Sequence, residues 1–151
     1  MKFYPDYLWW VIPEKLAGMH RPSLADLSQL YQARIRGIVS VMDEPSGIQE
    51  YREAGFSALW LPITGGKPPT VEQVQQFLDF TDPLLEKNKS VIVHCTSGNR
   101  RTGTLLASYL IAKGENPETA IQLIQKARPT AKLREAQMQF LLELPTFLIN
   151  L

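Results

Sequence analysis

Hydrophobic residues come in short blocks along this chain, and their spacing switches between the two-residue period of strands and the 3.6-residue period of helices. Residues 8–12 and 15–17 read as short strands joined through Pro13. Ser23, with Asp26 three residues on, marks a helix start, and Arg36-Gly37 is the expected end of that helix. Ile38-Val39-Ser40-Val41 is a buried strand, residues 43–47 a turn, and 49–54 a short helix closed by Gly55. A further strand covers 58–61. Residues 64–69, Thr-Gly-Gly-Lys-Pro-Pro, sustain neither regular element and form a loop. Thr70 caps a long helix that carries Val71, Val74, Phe77 and Leu78 on one face. The apolar strand Val91-Ile92-Val93 follows Asn88-Lys89, and the remainder is helical. Helices are expected over 102–113, after the Asn116 cap with Pro117 at the first position, and over 131–144. Ile121, Leu123 and Ile124 are assigned to the core, as is the aromatic group Tyr4, Tyr7, Trp9 and Trp10.

Strands alternating with helices predict an α/β fold with a largely parallel sheet, whose ligands sit beyond the carboxyl ends of the strands. A chain of 151 residues, 44% hydrophobic, is enough for one domain with its own core, spanning 1–151. Sixteen Lys and Arg against fifteen Asp and Glu give no global field that would draw double-stranded nucleic acid or a membrane. The single cysteine excludes an internal disulfide and suits a reducing compartment. Residues 1–6 carry no signal-peptide pattern, and no apolar run approaches a bilayer's thickness. A cytoplasmic location is the expectation.

The chemistry concentrates in Val91-Ile92-Val93-His94-Cys95-Thr96-Ser97-Gly98-Asn99-Arg100-Arg101-Thr102-Gly103. A buried strand runs into a polar loop that opens on the cysteine and ends at an arginine beginning a helix. Backbone N–H groups of such a loop, from Thr96 to Arg101, converge on one point and favour a phosphate-like dianion. The same field lowers the pKa of a thiol placed there, which makes Cys95 a nucleophile candidate. Arg101 supplies a planar fork for two phosphate oxygens, and the Thr102 hydroxyl can reach the sulfur. Gly98 and Gly103 allow the tight loop and the close helix start. His20 and His94 are the only histidines, so no metal site is expected.

His94-Cys95, five residues, Arg101 and Thr102 together resemble the His-Cys-x5-Arg-Ser/Thr signature of protein tyrosine and dual-specificity phosphatases. Residues 13–18 (Pro-Glu-Lys-Leu-Ala-Gly), Leu61-Pro62-Ile63 before the glycines, and Arg128-Pro129 with Gln137 and Phe140-Leu141 resemble, in order, further parts of the small atypical dual-specificity type. The resemblance implies a central mixed sheet of about five strands flanked by helices. It also implies a two-step hydrolysis of phosphate monoesters through a phosphocysteine on Cys95, without metal or other cofactor. Arg101 and the loop amides of Thr96, Ser97, Gly98, Asn99 and Arg100 would hold the phosphate, and His94 would support the loop. Gln137 would orient the attacking water; the alternative for Gln137 is a solvated helix face. The implied partners are a phosphorylated protein or a small phosphorylated molecule, with RNA 5′-triphosphates among the candidates.

Two departures from the family pattern matter. The loop over 62–69 holds no carboxylate, and Gly65 stands where the family's proton-donating aspartate belongs. Asp43 or Glu44, in a turn at the same sheet edge, is the substitute expected from the sequence, set against an ordinary polar turn. Arg100 adds a second cation beside Arg101, with Lys67 as its expected counterpart across the rim, and this would favour polyanions. Two other readings stand beside the phosphatase. Cys95-Thr96-Ser97-Gly98-Asn99-Arg100 also fits a rhodanese-like sulfurtransferase loop, in which Arg100 points inward. A phosphate-binding module without turnover is the other.

Overall fold

The computed structural model describes residues 4–148. Five strands form one sheet: β1 (Trp9–Ile12), β2 (Leu16–Met19), β3 (Ile35–Ser40), β4 (Ser57–Trp60) and β5 (Ser90–His94). Six helices accompany them: α1 (Leu24–Gln32), α2 (Ile48–Glu53), α3 (Val71–Glu86), α4 (Arg100–Ala112), α5 (Pro117–Ala127) and α6 (Glu135–Leu148). The strand order is β1-β2-β5-β3-β4, with β1 antiparallel to β2 and every other pairing parallel. This is the largely parallel sheet that the strand–helix alternation predicts, with the mixed, five-strand character that the family resemblance implies.

Period-two alternation in β5 sorts its side chains. Val91, Val93 and Cys95 belong to the core formed with α3, α4, α5 and α6, whereas Ile92 belongs to the core under α1 and α2. All five β5 residues are buried, as expected for a central parallel strand covered on both faces. The strand's C-terminal end therefore delivers His94 and Cys95 to opposite sides of the sheet, at the edge where ligands bind in such folds. Among the described residues, no helix is long and apolar enough to cross a membrane.

Capping signals hold where the sequence places them. Ser23 and Asp26 form a reciprocal capping box on α1, Thr70 and Gln73 another on α3, and Asn116 caps α5 ahead of Pro117. The expected end of α1 at Arg36-Gly37 is corrected: the helix stops at Gln32, and both residues lie in β3. Arg34 takes a left-handed conformation (φ 69°) that breaks the helix earlier. The Arg36 guanidinium then turns back over the Tyr31 ring and donates to the Tyr31 carbonyl at 2.8 Å. Gly37 serves packing, since a Cβ there would lie 2.8 Å from Leu84 and 2.9 Å from Val91.

The last helix also begins later than expected, at Glu135. Residues 131–134 alternate buried Ala131 and Leu133 with exposed Lys132 and Arg134. An extended segment with that alternation imitates a helix's apolar face in sequence, and it carries Arg134 to the surface. Ile124 is fully buried and Ile121 packs against the core, but Leu123 is 39% exposed, correcting its assignment to the core. Of the N-terminal aromatics, Trp9 is core, while Tyr4, Tyr7 and Trp10 pack partly buried against the α1/α2 side.

Candidate active site

The loop after β5 closes around the sulfur of Cys95. Arg21 N–H donates to the Thr96 carbonyl at 3.2 Å, and Gly98 lies directly on the backbone of Met19 and His20. Gly98 is required at this point. Its φ is +77°, and a Cβ would come within 2.4 Å of the Met19 carbonyl. Pressed against the end of β2 in this way, the loop aims amides of Gly98, Asn99 and Thr102 at the sulfur, and the Thr102 hydroxyl donates to it at 3.2 Å. Burial by itself raises the Cys95 thiol. The hydrogen bonds from the Thr102 hydroxyl and from the three amides outweigh that, so the thiol titrates below its ordinary value. Thr102 is fully buried and Cys95 nearly so.

His94 holds the loop from behind. Its Nδ1 lies 3.1 Å from the Cys95 carbonyl and its Nε2 lies 2.9 Å from the Tyr51 hydroxyl. A carbonyl only accepts, so Nδ1 carries the proton and Nε2 accepts from Tyr51. Burial lowers the His94 pKa to about 4, which keeps the ring neutral and fixes that tautomer at neutral pH. Tyr51, on α2, is a partner that the sequence gives no signal for.

The His94 shift makes a stability prediction. An unfolded histidine takes up its proton near pH 6.5, whereas the folded one does so only near pH 4. Between those values the unfolded state binds more protons, so stability falls as pH drops from about 6.5 towards 4. The expected loss is up to about 3 kcal/mol. Urea midpoints measured across that window should fall for wild type and change less for His94→Gln; parallel curves would remove His94 as the cause.

Arg101 Nη1 donates to Asp43 Oδ1 and to the Ile63 carbonyl, both at 3.0 Å. The guanidinium is thereby tied to the turn after β3 and the loop after β4. Asp43 is thus brought to the site, with 63% of its side chain exposed. Glu44 lines the same side cleft with Met42, Thr96 and Arg101, and accepts from the Ser46 hydroxyl. The main cleft above Cys95 encloses about 240 Å³ and is lined by Gly65, Gly66, Ser97, Asn99, Arg100, Arg101, Thr130 and Arg134. Asn99 Oδ1 accepts from Arg128 Nε (2.9 Å) and the Thr130 hydroxyl (3.0 Å), pinning the loop to the 128–134 segment.

Lys67 does not line this cleft; Arg134 lines it together with Arg100. Gln137 is fully buried, which overturns the solvated-face alternative. Its Oε1 accepts from the Arg134 amide at 2.9 Å, and its Nε2 donates to the Lys67 carbonyl at 3.4 Å. It therefore clasps the 65–67 loop to the start of α6. Arg134, Arg128, Thr130 and Tyr51 went unassigned from sequence because their contacts span long chain separations. Among the described residues there is no group of three or more His, Cys, Asp or Glu able to hold a metal.

A family model described as "Polymorphic toxin system, DSP-PTPase phosphatase" matches residues 14–115, which include the whole cysteine loop. The chain belongs to this phosphatase family. It is 28% identical to the human phosphatidylglycerophosphatase and protein-tyrosine phosphatase 1, over 93% of this chain and 83% of that protein. It is 24% identical to the tyrosine-protein phosphatase CDC14 of Candida albicans, over 82% of this chain but only 23% of that protein. A crystal structure of PTPMT1 in complex with PI(5)P superimposes with a TM-score of 0.85 at 23% identity, covering 96% of this chain and 98% of that one. The fold is thus that of the tyrosine and dual-specificity phosphatases. The protein is a cysteine-dependent phosphatase of this family, and the sulfurtransferase reading of the loop is not favoured.

Proposed function

We propose that the phosphatase hydrolyses phosphate monoesters through a phosphocysteine on Cys95. The observation that carries this reading is a buried thiol of lowered pKa that accepts hydrogen bonds from Thr102 and three loop amides at the floor of an arginine-rimmed cleft. Cys95 attacks phosphorus in line and the ester P–O bond breaks, releasing the alcohol or phenol as its oxyanion, while Arg101 and the amides of Thr96 to Arg101 take up the charge on the equatorial oxygens. Water then splits the sulfur–phosphorus bond and releases orthophosphate. Gln137 acts on this step by fixing the segment that faces the cup. The substrates are phosphorylated proteins or small phosphorylated molecules, in keeping with relatives named for a lipid phosphate and for phosphotyrosine. The single cysteine supports work in a reducing compartment such as the cytoplasm. Acid quenching during turnover, followed by mass spectrometry of the Cys95 peptide, tests the intermediate. One added phosphate is expected, and none under rapid turnover would overturn it.

The proton donor is the open element of this chemistry. Gly65 lies at the cleft, has a backbone outside the left-handed region, and has nothing within 4 Å of a Cβ placed on it. Gly65→Asp therefore introduces a carboxylate at the rim without a clash. General acid catalysis contributes about a hundred- to ten-thousandfold where it is fully developed. The variant should raise turnover of a phosphotyrosine peptide at mildly acidic pH by about tenfold or more. No change, with p-nitrophenyl phosphate turnover intact, would show that Gly65 is not the position of the lost acid.

A further inference from the structure

Helix α4 carries three buried serine and threonine hydroxyls, and they do not behave alike. Thr104 Oγ1 donates to the Arg100 carbonyl at 2.7 Å and Ser108 Oγ to the Thr104 carbonyl at 2.8 Å, each bonding four residues back along its own helix. Thr102 Oγ1 instead donates to Cys95 Sγ. A helical threonine divides between two side-chain rotamers, of which one makes the backward bond. A contact from outside the helix must therefore favour the other rotamer at Thr102.

That contact comes from β1 and β2. Trp9 faces Gly18 across the antiparallel ladder. The indole covers Gly18 so closely that a Cβ there would overlap Cζ2 and Cε2, and the same Cβ would lie 2.9 Å from Thr102 Cγ2. Indole edge and threonine methyl thus share the space over a strand position that has no side chain. Thr102 is fully buried, and Trp9 is buried in the core that α4 helps to form. The Trp9 indole N–H meets no acceptor among the described residues. A buried tryptophan ordinarily finds a partner for that group, so this position uses the flat apolar ring and not its polar handle.

We propose that Trp9 and Gly18 are positioning residues for Thr102: together they seat its methyl, and this turns the hydroxyl onto the Cys95 sulfur. The proposal rests on the reading of Cys95 as the nucleophile. Exchange of methyl and hydroxyl would set a polar oxygen against ring carbons and deprive Sγ of its hydroxyl donor. The donor is thereby in place before phosphate arrives, and no rotamer has to be selected during the reaction. A serine at this position would keep the hydroxyl but lose the methyl, and with it the seat.

The test titrates the thiol through its rate of alkylation by iodoacetamide across pH. This needs no turnover and reads only Cys95, the single cysteine of the chain. The charged groups lining the cleft above the sulfur, Arg100, Arg101 and Arg134, and His94 behind it stay in every variant. Thr102→Val, which keeps the shape and removes the hydroxyl, should raise the midpoint by about one unit. Trp9→Leu should raise it by at least about half as much, but by less than about 0.2 unit when Thr102 is already Val. Equal shifts in the two backgrounds would overturn the proposal, because Trp9 would then act on the sulfur by another route. No shift from Trp9→Leu in a protein that melts cooperatively would overturn it too. Thr102→Ser leaves Trp9 and Gly18 in place and decides the question if Trp9→Leu does not fold. Its midpoint should rise towards that of Thr102→Val, and a midpoint equal to wild type would overturn the seat. An unshifted midpoint in Thr102→Val would overturn the hydroxyl–sulfur bond and the seat with it, while the phosphocysteine trapped during turnover tests the nucleophile separately.

Discussion

Cys95→Ser should release no measurable p-nitrophenolate from p-nitrophenyl phosphate between mildly acidic and neutral pH, a fall of more than about 10⁴-fold from wild type. Nitrophenolate leaves readily, so this substrate reports on the nucleophile and the anion cup without demanding a proton donor. The oxygen is nearly isosteric with sulfur, and the Thr102 hydroxyl and the three amides can donate to it as they do to Sγ. Those donors lower the pKa of a thiol, but a serine hydroxyl starts too high for them to ionise it. Orthophosphate should therefore still bind to the variant. Residual turnover within tenfold of wild type would remove Cys95 as nucleophile. Loss of both turnover and phosphate binding from a protein with unchanged melting would overturn the anion-cup reading of the loop.

Arg101→Lys should lower kcat/KM for the same substrate by about a thousandfold, because a charge-stabilising donor aimed at the transferring phosphoryl group is lost. Lysine keeps the charge, yet its ammonium is a point donor without the planar fork. It also cannot reproduce the anchoring of Nη1 between Asp43 and the Ile63 carbonyl, both 3.0 Å away. Asp43→Asn separates two roles for that carboxylate. If Asp43 orients Arg101, the variant loses activity about equally on nitrophenyl and alkyl phosphates. If Asp43 is instead the proton donor, alkyl phosphates suffer alone, since only a poor leaving group needs the proton. A tenfold or smaller effect of Arg101→Lys would show that the amides alone carry the charge stabilisation.

The position of the nucleophile was legible because several local rules agree over a dozen residues. An apolar strand buried on both faces, a glycine that only a left-handed turn requires, and an arginine at a helix start all appear in continuous sequence. Alternation along β5 already separates Cys95 from His94. The sheet type followed from strands and helices taking turns. Errors arose where a local signal has two physical meanings. Gly37 looks like a helix terminator, yet α3 packs too closely against β3 there for any side chain. Ala131 and Leu133 look like one face of a helix, yet they are alternate residues of an extended segment.

What the sequence by itself determined is the chemistry whose atoms are chain neighbours: the thiol, the loop amides, the Thr102 hydroxyl and the arginine at the start of α4. These are set by local backbone geometry, which short-range residue choice controls. Only the tertiary structure decided which distant groups meet them. Tyr51 reaches His94 across 43 residues, Asp43 meets Arg101 across 58, and Gln137 reaches the Lys67 carbonyl across 70. Such contacts depend on how β3, β4 and β5 lie side by side and how α6 packs against α4 and α5. No periodicity along the chain encodes those distances, so the support of the cup and Arg134 at its rim emerge only when the sheet is assembled.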